Sequence, residues 1–278
     1  MFKIDTLTLK VNSINNGIKF YHDLLGFDYF IENNTINFYI KDKNNILITL
    51  IEDKDAIYNK KTTGLYHFAL LFSSKVELSK VFVNIINKNY PIHKLSDHKI
   101  SESIYLFDYD NNEVELYINN NKEFISFIGN KKYIEITSLD PEKILSYYDN
   151  SKFEKIDENV QIGHLHFHVR DVLLSKDFFK DCFKLDINQE CGKSCCFLSN
   201  DKFHDVIAFN NWNGIKISDR KDNELGLVSY KVSIDSIKFY ETISCFESKN
   251  INFEYNKKNE IRLYDINNCL LIISKINN

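Results

Sequence analysis

The feature that most restricts how this chain can fold is a repeat of itself. Ile4-Asp5-Thr6-Leu7-Thr8-Leu9-Lys10-Val11, followed by Ile18 to Asp28, returns as Ile162-Gly163-His164-Leu165-His166-Phe167-His168-Val169, followed by Lys176 to Asp186. Thr6 corresponds to His164 and Asp28 to Asp186, an offset of 158 residues in both segments. Later matches keep nearly the same register: Gly64-Leu65 returns as Gly226-Leu227, and Leu106-Phe107-Asp108 as Leu263-Tyr264-Asp265. A period this long marks a duplicated structural block.

Each copy divides again. Residues 4 to 11 alternate apolar with polar, the period of a half-buried strand. Ser13 can cap a helix whose inner side carries Ile14, Ile18, Tyr21, Leu24 and Leu25. A second strand at Leu65 to Phe72 precedes a helical period over Lys75 to Asn89, and strands over Ser103 to Phe107 and Glu113 to Ile118 flank the turn Asp108-Tyr109-Asp110-Asn111-Asn112. The chain therefore reads as four βαβββ repeats in two tandem pairs, an α+β protein. Asp140-Pro141-Glu142 opens a short helix through Tyr148, with a capping Asp and Pro at the first position. We place one domain at 1–120, a linker with that helix at 121–159, and a second domain at 160–278.

Composition narrows the function. With 35 Lys plus Arg against 39 Asp plus Glu, a formal charge of -4 and a pI near 6.1, the chain has no global basic surface for nucleic acid or anionic lipid. No apolar run approaches bilayer length and the start lacks a signal-peptide pattern, so a cytoplasmic protein is expected. The six cysteines lie in the second half without CxxC spacing, which fits reduced thiols better than a zinc knuckle.

Side-chain alternation selects the chemistry-bearing face. Leu165, Phe167 and Val169 oppose His164, His166 and His168, and Glu115 shares a face with Tyr117 against Val114, Leu116 and Ile118. His67 stands in the otherwise apolar run Tyr66 to Phe72. A buried imidazole and a buried carboxylate each need a partner, and a metal ion supplies one for both.

Four such repeats, with Gly64-Leu65-Tyr66-His67-Phe68-Ala69-Leu70-Leu71, Asn112-Glu113-Val114-Glu115-Leu116-Tyr117, Ser96 to Leu106 and Ile162 to Val169, resemble the vicinal oxygen chelate superfamily. Within it the chain is similar to the bacterial two-domain catechol 2,3-dioxygenase-like branch. The resemblance implies pairs of repeats forming curled mixed sheets around cavities, with metal ligands on the first and last strands of the repeats.

Carried over position by position, the first copy offers Thr6, His67 and Glu115, and the second His164, Ser229 and Ile272. Neither is a complete set. His67 and Glu115 from the second repeat with His164 from the third make two imidazoles and a carboxylate, the facial donor set of Fe(II) or Mn(II). That set requires the second repeat to pair with the third, within one chain or between chains. The resemblance further implies Tyr105 and His98 as groups orienting the substrate oxygens. His166 and His168 share the row of His164, and either lines the cavity or stands in as a ligand. At the family's acid/base histidine this chain has Asp205, with His204 one residue before it, so a proton would be handled by one of these two.

The implied activity is extradiol cleavage of a small aromatic diol with O2, by a chain that a homodimer would also suit. The alternatives are a glyoxalase-like isomerase or lyase using Zn or Ni, which normally needs a fourth protein ligand, and a catalytically degenerate small-molecule binding or resistance protein.

Overall fold

The computed structural model describes residues 1–120, 126–128, 131–133, 136–201, 204–256 and 259–276. Lys202 and Phe203, which precede His204, lie outside the described residues, as does part of the expected 121–159 linker. Among the described residues no helix is long and apolar enough to cross a membrane.

The four repeats are present in order. The first comprises β1 (Phe2–Val11), α1 (Ile14–Gly17) running on as a π-helix over Ile18–Leu24, β2 (Asp28–Glu32), β3 (Thr35–Tyr39) and β4 (Ile46–Glu52). The second comprises β5 (Gly64–Leu71), α2 (Lys75–Asn87), β6 (Lys94–Asp97), β7 (Ser101–Phe107) and β8 (Glu113–Asn119). Short strands β9 (Ser126–Ile128), β10 (Lys131–Tyr133) and β11 (Thr137–Ser138) lead to α3 (Pro141–Leu145). The third repeat is β12 (Gln161–His168), α4 (Val172–Phe183), β13 (Asp186–Glu190), β14 (Cys195–Ser199) and β15 (Asp205–Asn210). The fourth is β16 (Gly226–Asp235), α5 (Ser236–Ser248), β17 (Glu254–Asn256), β18 (Glu260–Tyr264) and β19 (Leu270–Ile276).

Local chemistry accounts for the helix starts. Ser13 and Ser74 accept from the backbone N–H three residues on, Asp140 from Glu142, and Asp171 from Leu173 and Leu174. The α3 helix stops at Leu145, short of Tyr148, and continues only as single turns, with Tyr147 N donating to Ile144 O and Tyr148 N to Leu145 O.

Two large mixed sheets result, in the orders β17-β18-β19-β16-β1-β4-β3-β2 and β11-β6-β7-β8-β5-β12-β15-β14-β13. The first and last strands run parallel in the second, third and fourth repeats, whereas β7–β8, β14–β15 and β18–β19 are antiparallel. The first repeat shares a sheet with the fourth and the second with the third. This is the pairing on which the mixed ligand set depends.

The chain forms two compact bodies. One holds Met1–Lys10, Asp55–Tyr66 and His164–Asn278, and its core includes Leu7, Leu9, Phe167, Phe179, Phe209 and Tyr230. The other holds Val11–Lys54 and His67–Gly163, with Phe20, Tyr21, Phe38, Phe68, Phe82 and Leu116 fully buried.

Each body contains the same buried latch. Tyr21 donates to Asp108 at 2.9 Å in one, and Tyr230 to Asp265 at 2.7 Å in the other. Each Asp also closes the turn into the last strand of its repeat, Asp108 by accepting from Asp110 N and Asn112 N, Asp265 from Asn267 N and Cys269 N. Asn111 and Asn268 adopt φ of 63° and 60°, the left-handed conformation a glycine would otherwise take there. Burial pushes both carboxyls up to about 6, against the hydrogen bonds that favour the charged form.

A carboxyl raised on folding contributes stability below its unfolded pKa and loses that contribution as pH rises through the folded value. Urea unfolding should therefore show stability falling from about pH 4 to pH 7, by on the order of 3 kcal/mol for each latch. Asp265→Asn should flatten that dependence, and an unchanged slope would remove the latch from the account.

Candidate metal centre

The site is laid out by strand register. His67 on β5 pairs with Glu113 on β8, Ala69 with Glu115, and Glu115 with Tyr105 on β7. Paired residues share a face, so His67, Glu113, Glu115, Tyr117, Ser103 and Tyr105 all project from one side of the sheet. The other side carries Phe68, Leu70, Val114, Leu116, Ile104 and Leu106, all fully buried. Apolar alternation thus forces the polar row into place.

His67 and Glu115 are buried at 5% and 3% exposure. His67 Nε2 stands 3.2 Å from Glu115 Oε2, while Ser103 donates to Glu115 Oε1 at 2.6 Å and fixes the carboxylate from the other side. His98 Nε2 lies 3.2 Å from the Tyr105 hydroxyl. Burial, then the charge of Glu115 and a hydrogen bond to it, pushes the Tyr105 phenol well above its ordinary range. The hydroxyl therefore keeps its proton near neutral pH.

A second carboxylate lies beside this pair. Glu113, also buried, has Oε2 4.0 Å from His67 Nδ1 and Oε1 3.6 Å from Nε2 of the half-exposed His93. Burial and the neighbouring charge of Glu115 push it up to about 7, with Lys94 opposing. A cation beside these two neighbouring buried acids would offset the cost of burying their charge.

His164 is the residue that follows Gly163 on β12. Gly163 is pressed against the Tyr117 ring: a Cβ there would collide with the hydroxyl and stand 2.7 Å from Cζ. Only a glycine leaves room for the Tyr117 ring against β12. One ligand atom from each of His67, Glu115 and His164 lies within 4.8 Å of the other two, and among the described residues this is the sole such group of His, Cys, Asp and Glu.

Neighbouring ligands of an octahedral ion with bonds of 2.0–2.1 Å stand about 3 Å apart. The His67–Glu115 approach of 3.2 Å is of that size, and two nitrogens with one carboxylate oxygen suit Fe(II) or Mn(II). The residues present fit a divalent metal.

The remaining expected residues fall as follows. His166 is buried against Tyr66, Phe197 and Trp212, with ring centroids 5.0, 5.4 and 5.5 Å away. Asn210, fully buried, donates through Nδ2 to His166 Nε2 at 2.9 Å and accepts at Oδ1 from Trp212 N, while His168 Nδ1 lies 2.7 Å from the same oxygen. The Trp212 N–H can only donate, so it fixes the amide orientation and with it the His166 tautomer, whose proton sits on Nδ1. Asp205 precedes a bulge at Val206, and its pairing with Ser199 returns it to the face of Phe197 and His166. It accepts from Asn188. His204 is tied by its ring to Asp201 at 3.0 Å, just outside the strand.

Reading the sequence missed Ser103, Glu113, Gly163 and Asn210. For Glu113 a signal existed in the Glu-Val-Glu spacing, which puts both acids on one face. In the first and fourth repeats the positions equivalent to the ligands hold Thr6, Ser229 and Ile272.

Comparison with known proteins agrees with this architecture. Residues 3–116 match the model of the Glyoxalase/Bleomycin resistance protein/Dioxygenase superfamily. Over that stretch the chain is similar to this superfamily, to which the vicinal oxygen chelate proteins belong. It is 28% identical to a catechol-2,3-dioxygenase of Bacillus subtilis (strain 168) over 228 residues, 81% of this chain and 80% of that protein. Its fold is shared with a putative dioxygenase of Bacillus subtilis, at TM-score 0.65 and 11% identity over 98% of this chain and 84% of the other. Glyoxalase I from Zea mays matches at TM-score 0.57 and 10% identity, over 99% and 92% of the two chains.

Proposed function

We propose that the chain is a nonhaem Fe(II) extradiol-type dioxygenase acting on a small catechol, with His67, Glu115 and His164 as metal ligands. The observation that carries this reading is the donor set: two imidazoles and one carboxylate on neighbouring strands, with the Tyr105–His98 pair beside the carboxylate. Three protein ligands leave positions open for a bidentate substrate and O2. Fe(II), when bound, supplies the Lewis-acid and one-electron chemistry of the ring opening.

The chain's own groups orient the diol and move its protons. Tyr105, held in its neutral form, donates from Oη to a substrate oxygen. His98 Nε2, 3.2 Å from that Oη, holds or relays the phenolic proton. The rings of Tyr66, Phe197 and Trp212 around His166 provide an apolar wall for an aromatic substrate. Asp205, on the same face as His166, is the acid/base group in this scheme, whereas His204 is engaged with Asp201.

Protein loaded with Fe(II) without air and then mixed with catechol and O2 should form a yellow ring-opened product, with O2 consumed in equimolar amount. Stoichiometric Fe(II) with catechol left intact overturns the reaction assignment. Isomerisation of a hemithioacetal without O2 uptake would move the chain to the glyoxalase-like class.

A further inference from the structure

The triad reading leaves Glu113 without a part, although it is buried against the same imidazole. His67 has two ring nitrogens and a carboxylate faces each of them: Glu115 Oε2 at 3.2 Å from Nε2, and Glu113 Oε2 at 4.0 Å from Nδ1. A neutral imidazole carries one proton, so it serves only one of these acids as donor. Without a cation the shorter approach places that proton on Nε2, toward Glu115. A cation at Nε2 needs the lone pair there, and the proton must then sit on Nδ1, where Glu113 is the acceptor within reach. Closing 4.0 Å to a hydrogen bond takes a movement of about 1 Å.

Resting on the metal-site reading above, we infer that Glu113 is a positioning residue for His67: it accepts the Nδ1 proton and thereby turns Nε2 toward the cation. His93, 3.6 Å from the other Glu113 oxygen, links the carboxylate to the surface and limits its rotation. The pairing of His67 with Glu113 across the β5–β8 ladder holds the two backbones in register, so little ordering remains to be done when the metal arrives. Glu113 lies outside the group whose ligand atoms converge, so it is not a fourth ligand.

A carboxylate kept for this purpose has a measurable consequence. In the metal-free protein Glu113 is buried on the same strand face as Glu115, two residues away, and like charges held that close oppose folding. Removing it should therefore spare or raise the stability of the metal-free protein while weakening metal binding. A residue with only a packing role would show the opposite pair of effects.

The test measures Mn(II) affinity by electron paramagnetic resonance, and the melting temperature of the metal-free protein, for the full chain and for Glu113→Ala, Glu113→Gln and His67→Ala. Glu113→Ala should weaken Mn(II) binding about 10- to 100-fold without lowering the metal-free melting temperature. Glu113→Gln, whose amide oxygen still accepts from Nδ1, should recover part of that loss. In Zn(II)-bound protein, nitrogen NMR should show the His67 proton on Nδ1.

Mn(II) affinity within about threefold of the parent in Glu113→Ala, with His67→Ala losing the metal, overturns the role of Glu113 and leaves the metal site standing. A Glu113→Ala protein that loses both affinity and metal-free stability also overturns it, in favour of packing. Unchanged Mn(II) binding in His67→Ala overturns the metal site itself.

Discussion

His67→Ala, Glu115→Gln and His164→Ala should each take Fe(II) or Mn(II) binding from about one equivalent per chain to below about a tenth at micromolar protein, a loss of roughly a thousandfold in affinity. If the proposed three donors hold the metal, removing any one should cost on the order of a third of the binding free energy and leave a site that ordinary buffers outcompete. Glu115→Gln is the cleaner acid variant, because the amide retains an oxygen for Ser103 and keeps the volume of a fully packed position. Thr6→Ala is the matched control. Thr6 occupies in the first repeat the position that His164 occupies in the third, yet its sheet neighbours are on β16, with Thr6 paired to Lys231 and Thr8 to Ser229. Inductively coupled plasma analysis of anaerobically purified protein decides the matter: metal retained by His164→Ala and lost by Thr6→Ala would mean that the first repeat, not the third, completes the site with His67 and Glu115.

That control draws on what the sequence made readable and what it did not. The repeat and strand alternation sufficed to put His164, His166 and His168 on one face, because a strand's period of two turns position into direction. The same logic placed Glu115 opposite Val114 and Leu116. The choice of partners among repeats is non-local, and only the incompleteness of Thr6, His67 and Glu115 as a ligand set hinted at it; the β5–β12 adjacency supplies the reason. The Glu-Val-Glu spacing put Glu113 on the face of Glu115, but its register with His67 across β5 and β8 is encoded in no local pattern. Asp205 was a misfit by family position. The bulge at Val206 shows how strand geometry, and not residue identity alone, brings its carboxylate to the face of His166. Asn210 followed no motif, yet its amide sets the tautomer of the neighbouring imidazole.

The second large effect concerns a residue with no side chain. Gly163→Ala should destabilise the fold by about 3 kcal/mol, at the upper end of overpacking costs, and lower Tm by roughly 6 °C. The added methyl would meet the hydroxyl of Tyr117 and lie 2.7 Å and 2.8 Å from Cζ and Cε1, so the clash is with the rigid ring and not with a flexible chain end. Tyr117 is itself buried on β8, two residues past Glu115, and cannot swing away without disturbing the strand that carries the ligand. Relief must come from β12, and the first residue displaced is His164. Loss of stability and loss of metal should therefore appear together in this variant, whereas His164→Ala should lose metal with little change in Tm of the metal-free protein. Combining Gly163→Ala with Tyr117→Ala removes the obstructing ring and should restore metal binding toward the parent value, at the separate cost of a cavity on β8. If the double variant binds metal no better than Gly163→Ala alone, the Tyr117 contact does not set the position of His164.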